Sequence, residues 1–279
     1  MRIARARARR ILWAGVYSQG LEAVPLLGYA HLSASPLLSA GMISQQSRDA
    51  SSLRREMAFE RLRNYAARHG LASTLFHLVY RLANSAVMLM VFRVVVLARS
   101  DIDWGLVAGA GDHWTFLSQE DLRRFSQTDP SLDLDDAFLS EALARGDRCH
   151  AFVKDGILGA YAWYANGPTP IQDSLTAVFH PGYIYMYKAF TAPGFRGRRL
   201  YGTGVAKAMQ AFLQQRNFKG LVSCVQSHNS ASQKGLQYIG FKTVGRVYVL
   251  GGKRPCLSYA SPGCRYLFGA KIDSPNPPG

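Results

Sequence analysis

The chain has little cysteine, no lysine in its first hundred residues and no unbroken apolar run of membrane-spanning length. Its four cysteines, Cys149, Cys224, Cys256 and Cys264, form no C-x-x-C pair and stand at no ligand spacing with histidine. That pattern excludes the usual structural zinc sites and dithiol redox motifs, so no metal is expected. The cysteines read as reduced thiols of a cytoplasmic protein, buried free cysteine being the ordinary case. A Cys256–Cys264 bridge is expected only if the protein were exported. Residues 86–92 are wholly apolar and 94–98 resume the run, but Arg93 interrupts it. A spanning helix needs roughly 20 apolar residues, and a central arginine costs about 2.5–3.5 kcal/mol. Two readings remain for this stretch. One is a helix lying in a membrane interface with Arg81, Arg93 and Arg99 at the headgroups. The other is a helix packed on the domain, followed by a buried strand over 91–97.

What the chain has in excess is arginine. The net charge is +15, and residues 1–100 carry +10 of it through 14 arginines against four acids, Glu22, Asp49, Glu56 and Glu60. Such asymmetry points to an anionic partner for the N-terminal part, a membrane surface or a nucleic acid. Arginine without lysine also fits the codon usage of a GC-rich genome. No aromatic-interleaved basic strand or recognition helix accompanies the arginines, which argues against nucleic-acid binding. Residues 1–56 are expected to be a disordered or spurious extension, Met42 and Met57 both being plausible starts. Its first twenty residues imitate an arginine-rich presequence, but Gln19, Glu22 and Pro25 break the apolar stretch that a signal peptide needs. Residues 57–100 are expected to form a basic amphipathic helical region, with Leu71, Leu75, Leu78 and Leu82 on one helix face.

From residue 101 the pattern alternates between helix and strand. Ser118, with Asp121 three positions on, marks a helix start. A second helix is expected over 135–145, ended by Gly146. Strands over 150–154 and 157–164 flank Asp155-Gly156, a strong hairpin signal. A strand over 183–191 sets Tyr183, Tyr185 and Tyr187 on one face. A helix over 200–216 has Val205, Met209, Phe212 and Leu213 as its core side. A strand over 221–226 leads to Asn229, which caps a helix ending at Gly240, and a strand over 241–250 follows. One strand-like piece over 258–268 precedes a tail, 271–279, expected to be disordered.

Between the strand at 183–191 and the helix at 200–216 runs Thr191-Ala192-Pro193-Gly194-Phe195-Arg196-Gly197-Arg198-Arg199-Leu200-Tyr201-Gly202-Thr203-Gly204. A strand-to-helix loop of this kind offers free backbone N–H groups and a helix dipole to a phosphate. Gly197 allows close approach, and Arg196, Arg198 and Arg199 can reach phosphate oxygens. Three arginines at a helix start oppose the helix dipole unless an anion sits with them.

The order hairpin, strand, Arg196-Gly197-x-x-Leu200-Tyr201 loop, helix, strand, Asn229-x-x-Ser232 helix and Gly240-Phe241 strand resembles the GNAT superfamily of acyl-CoA-dependent N-acyltransferases. The resemblance covers residues 113–250, about half of the chain. It implies an α/β (α+β) GNAT fold: a central mixed, mostly antiparallel sheet with strands four and five splayed, flanked by helices, here spanning 101–270 with additional N-terminal helices. It implies acetyl-CoA or another acyl-CoA as cofactor, bound by Phe190, Thr191, Ala192, Arg196, Gly197, Arg198, Arg199, Leu200, Tyr201, Gly202, Asn229 and Ser232. The loop departs from the family's R-G-x-G-x-G/A pattern. The frame set by Pro193 lacks the later glycines, and only the offset frame Arg199-x-x-Gly202-x-Gly204 restores them.

The implied reaction moves an acetyl or longer acyl group to a primary amine of a small acceptor, the basic surface favouring an anionic one. Many family members protonate the leaving thiolate with a tyrosine seven residues past the asparagine; here that position is Leu236, and Tyr238 lies about 200° away around the helix. Candidates for the base are His228, just past the strand at 221–226, and Tyr185 and Tyr187. Against each stands a plainer role, a surface turn for His228 and core packing for the tyrosines. The rival function is a catalytically silent acyl-CoA-binding module docking on a protein or on the inner face of a bacterial membrane through residues 57–99.

Overall fold

The computed structural model describes residues 87–273, apart from 109, 110, 112, 173 and 253, together with scattered positions between 63 and 79. The expectations for residues 1–56 and for the tail beyond 273 lie outside the described residues. Chain contacts separate Gln19–Leu82 from the unit that carries Ala83–Gly279. In the former, positions 71, 72, 74 and 75 are helical, Thr74 Oγ1 donates to the Gly70 carbonyl at 2.9 Å, and Leu71 and Leu75 are exposed. No described helix is long and apolar enough to cross a membrane.

The larger unit runs β1 Met88–Ala98, β2 Trp114–Phe116, α1 Gln119–Thr128, α2 Asp136–Ala144, β3 Arg148–Lys154, β4 Ile157–Ala165, β5 Thr169–Gln172, β6 Leu175–Phe179, β7 Tyr183–Thr191, α3 Leu200–Phe212, β8 Gly220–Gln226, α4 Ser230–Ile239, β9 Lys242–Gly251, β10 Pro255–Ala260 and β11 Phe268–Ile272. Eight strands form one sheet in the order β10-β9-β1-β8-β7-β4-β3-β2, and β11-β6-β5 form a second. Within the large sheet β7 and β8 are parallel and the other neighbours antiparallel. This is the mixed, mostly antiparallel sheet flanked by helices that the resemblance implied.

Local chemistry fixes many of the boundaries. Asp155 (φ 52°) and Gly156 (φ 76°) are both left-handed, as a two-residue hairpin between β3 and β4 requires. Ser118, Asp135 and Asn229 each accept from a first-turn amide and so cap α1, α2 and α4.

Two buried clusters occupy the two faces of the large sheet. On one face α1, α2 and the small sheet pack through Leu122, Phe138, Leu139, Leu175 and Phe268 onto Trp163 and Tyr185. On the other, α3 and α4 pack through Val205, Met209, Phe212, Leu236 and Ile239 onto Leu97, Tyr164 and Leu221.

Residues 88–98 correct the expectation of a helical region extending to residue 100. They form a strand between β8 and β9, so the domain's sheet begins before residue 101. The cause is burial on both sides: Val94, Val95, Val96 and Leu97 are buried in succession, with alternate residues in the two clusters. A strand covered on both faces reads as a continuous apolar run and imitates a helix segment. The single piece expected over 258–268 is two strands in different sheets, because Gly263 and Cys264 turn the chain from β10 toward β11. Helix α3 ends at Phe212, four residues before the expected end, with Leu213 as its cap.

Candidate functional site

Strand β7 pairs with β8 only through Tyr183–Gly220, Ile184–Leu221 and Tyr185–Val222. Beyond Tyr185 the two strands part, and the rest of β7 faces the rest of β8 across a gap. These are the splayed strands implied by the resemblance. On its other edge β7 carries a bulge: Trp163 opposes Tyr187 and Tyr161 opposes Phe190, so two β7 residues stand opposite Ala162. Lys188, at φ 43°, takes up the extra residue. Its buried ammonium meets Asp133 Oδ2 at 2.6 Å and lies 4.6 Å from the Phe138 ring. Burial lowers the Lys188 pKa, with Asp133 acting against that shift.

On the gap side covered by α3 and α4, Thr191 Oγ1, Ser223 Oγ and Ser232 Oγ are buried and have no partner among the described residues. An unsatisfied buried hydroxyl costs about 1–3 kcal/mol, so each of the three calls for a polar partner. Asn229 Oδ1 accepts from the Ser232 amide at 3.1 Å and thereby caps α4, placing both residues where that helix begins beside the end of β8.

The loop leaving β7 is exposed from Arg196 to Arg199. Gly197 has φ 78°, and Arg199, the N-cap residue of α3, has φ 58° and offers no side-chain cap. The amides of Gly197, Arg198 and Arg199 donate no backbone hydrogen bond among the described residues. Arg196 Nε donates to the Thr191 carbonyl at 3.1 Å and braces the loop on the strand end, while Arg198 lies 5.4 Å from the Phe195 ring. None of Arg196, Arg198 and Arg199 has a carboxylate partner among the described residues. Free amides, three uncompensated cations and a helix N-terminus therefore meet in one exposed loop, a donor set that fits a phosphate-bearing ligand.

Glycines 202 and 204 have another role. A Cβ on Gly202 would touch Leu106 and Ile239, and one on Gly204 would overlap the Trp114 ring. Both are buried; the glycine at 204 reports close packing of α3 on Trp114, whereas a Cβ at 202 would make only ordinary contacts. The Gly202 amide still belongs to the first turn. Phe190, Leu200 and Tyr201 line a small cavity of about 10 Å³ behind the loop, shared with Trp114, His150 and Tyr164. The Phe190 ring stacks on Tyr161 at 5.5 Å. Ala192 closes the strand end by donating to the Gly159 carbonyl.

The base candidates separate. Tyr185 is buried on the α1/α2 face with its hydroxyl 3.2 Å from Cys224 Sγ, and burial pushes its pKa well above the ordinary tyrosine value. Tyr187 stacks on Tyr185 at 5.6 Å and donates to Asp147 Oδ2 at 2.6 Å. The same carboxylate oxygen accepts from Arg145 Nη2 at 2.8 Å and Nε at 3.1 Å. Burial raises the Asp147 pKa, although Tyr187 and Arg145 both oppose that shift. Burial, then the Asp147 charge, raise the Tyr187 pKa. His228 is half-buried in the turn between β8 and α4. Leu236 is fully buried and Tyr238 is 64% exposed, so neither brings an acid to the gap. Asp147 escaped the sequence reading because its only signal, an acid after a helix-ending glycine, is ordinary turn composition.

No protein-family model and no curated protein matches the chain. Solved structures do. The GNAT-family protein from Novosphingobium aromaticivorans aligns at 14% identity and a TM-score of 0.43, covering 60% of this chain and 66% of that one. A GNAT-family acetyltransferase from Colwellia psychrerythraea aligns at 14% identity and a TM-score of 0.43, covering 60% and 58%. The ribosomal-protein-alanine N-acetyltransferase from Brucella melitensis aligns at 18% identity and a TM-score of 0.32, covering 57% and 98%. The chain thus spans less than two thirds of the first two of these proteins.

Proposed function

We propose that this GNAT-fold chain is an acyl-CoA-dependent N-acyltransferase that acylates the primary amine of a small acceptor. The observation that carries the reading is the continuity of β7: it leaves β8 after Tyr185 and runs directly into the exposed arginine loop at the start of α3. An extended ligand with a phosphate end and an amide-bearing arm matches that path. The amides of Gly197, Arg198 and Arg199 receive phosphate oxygens, with the arginines around them. The unpaired edge of β7 hydrogen-bonds the arm as an added strand would. Acyl-CoA supplies the thioester carbonyl, acetyl or longer.

The chain's residues also account for the proton. The acceptor nitrogen attacks the carbonyl carbon, and its proton passes to Tyr187 Oη as the phenol proton passes to Asp147 Oδ2. Burial raises the Asp147 pKa, so its carboxylate is a stronger base than an exposed one and is suited to receive that proton. Tyr185 is left out because its hydroxyl is engaged with Cys224. His228 remains a second candidate for the base. With Leu236 in the core, the thiolate leaves without a side-chain acid and takes a proton from water.

Titration calorimetry with coenzyme A tests the reading. Binding that Arg196→Ala and Gly197→Asp both weaken supports it, and absence of binding overturns it. Fully buried Leu236 also favours the silent-module reading. Thiol release from acetyl-CoA over a panel of amines, anionic ones included, separates the two: binding without release identifies the silent module.

A further inference from the structure

The large sheet has a stretch of face that no described helix covers. Helices α3 and α4 pack on β4, β7, β8 and the C-terminal half of β1. Farther across the same face, register aligns Leu89, Leu250 and Leu257 in one row and Val91, Tyr248 and Tyr259 in the next. Leu250, Leu257 and Tyr259 are 37%, 55% and 56% exposed, and the Tyr248 and Tyr259 rings lie tilted with centroids 6.3 Å apart. Isolated exposed apolar residues need no explanation, but two contiguous rows on a sheet face do.

The charge beside those rows indicates the occupant. Arg93 on β1 stands directly opposite Arg246 on β9 in the next row of the same face. Like charges paired across strands destabilise a sheet, and neither arginine has a carboxylate partner among the described residues. Arg93 Nε is buried without a partner among them, and so is the hydroxyl of Ser227, whose amide bonds to Val91. Beyond the opposite side of the rows, exposed Arg254 precedes β10. Two apolar rows with tyrosines are therefore bracketed by cations. Four residues along a strand span about 13 Å, so leucines, tyrosines and arginines lie within one lipid-headgroup footprint.

We propose that this face of β1, β9 and β10 docks on an anionic lipid bilayer, its arginines meeting phosphate groups while Leu250, Leu257 and Tyr259 enter the acyl boundary. Strand direction puts the surface near the gap. The C-terminal ends of β7 and β8 point the same way, and the antiparallel order places the start of β1 and the end of β9 at that same end of the sheet. The bilayer surface thus lies at the end of the sheet where the arginine loop emerges. The residues of this face follow position 88 in the sequence and overlap the segment 57–99 only in β1.

Sedimentation of the full chain with phosphatidylcholine vesicles, with and without phosphatidylglycerol, tests the proposal. Binding is expected only with the anionic lipid. Arg246→Ala should weaken it about fivefold, and Leu257→Glu with Tyr259→Glu should abolish it while the thermal midpoint stays unchanged. In a Tyr259→Trp variant, the emission added over the wild type should shift to the blue on anionic vesicles and be quenched by brominated chains. The proposal is overturned if the double glutamate variant sediments like the wild type, because contact then lies elsewhere. It is also overturned if the added emission of the Tyr259→Trp variant does not move, if the wild type binds neither vesicle, or if light scattering shows a dimer that the glutamates dissociate. Coenzyme A binding, measured in parallel, reports on the cofactor reading independently of every one of these outcomes.

Discussion

Tyr187 donates its phenolic proton to Asp147 Oδ2 at 2.6 Å, joining the strand that opens the gap to the start of the neighbouring-but-one strand. Arg145 grips the same oxygen and is itself partly exposed. If this pair accepts the amine proton, Asp147→Asn lowers kcat by about 10²-fold, with the KM for acyl-CoA little changed. Tyr187→Phe should do the same, and the double variant should be no slower than either single one, because the two act as a unit. The pH profile gives the sign. Burial raises the Asp147 pKa, so the wild-type rate should fall on acidification at a pH above the ordinary carboxylate range. That acid limb should vanish in Asp147→Asn, which a purely structural role would not produce.

Gly197 and the arginines beside it make a second, graded prediction. Arg198→Ala and Arg199→Ala each remove one exposed cation and should weaken coenzyme A by about tenfold, the size of a charge-assisted hydrogen bond. The loss should shrink as salt is raised. Gly197→Ala strains a backbone at φ 78°; Gly197→Asp adds a negative charge to that strain and should bind worse. Calorimetry on the four variants checks the order.

Elements whose cause is local were legible in the sequence. Asp155-Gly156, the Ser118 and Asn229 caps and the tyrosine face of β7 each depend on a few neighbouring residues, and each stands where the pattern put it. Elements whose cause is distant were legible in part or not at all. The apolar run of β1 carries no period and left two readings, an interfacial helix or a buried strand over 91–97; the strand stands because β8 and β9, far along the chain, hydrogen-bond its two edges. The bulge at Lys188 arises from register against β4, which no composition signals. The arginine loop was visible because its chemistry is contiguous. The Tyr187–Asp147–Arg145 cluster was not, because it forms only when three strands lie side by side.

Gly202 and Gly204 sit two residues apart on α3, and substitution should move stability in opposite directions. A Cβ at 202 meets Leu106 at 3.4 Å, an ordinary contact, so Gly202→Ala should gain up to about 1 kcal/mol from helix propensity. A Cβ at 204 would overlap Trp114, so Gly204→Ala should lose about 1–3 kcal/mol through overpacking. Urea midpoints for the two variants check the signs, and Trp114→Leu should relieve the second.

His150 is 5% exposed between Trp114, at 5.5 Å, and Phe116, at 4.8 Å. Burial lowers its pKa to about 4 from the ordinary 6.5, Arg148 and Lys207 add to the shift, and a hydrogen bond with the Gly204 backbone opposes it. The unfolded chain therefore takes up this proton before the folded one. Stability from this group is complete above pH 6.5 and is lost as the pH falls through about 4. By linkage the loss approaches about 3 kcal/mol. Urea unfolding across that range should show it. His150→Phe keeps a flat ring between Trp114 and Phe116 and cannot titrate. The wild-type and His150→Phe curves should therefore converge at acid pH by about that amount relative to neutral pH. Curves that stay parallel from pH 6.5 downward would show that folding does not lower the imidazole pKa, and would remove the case for a histidine held neutral beneath the start of α3.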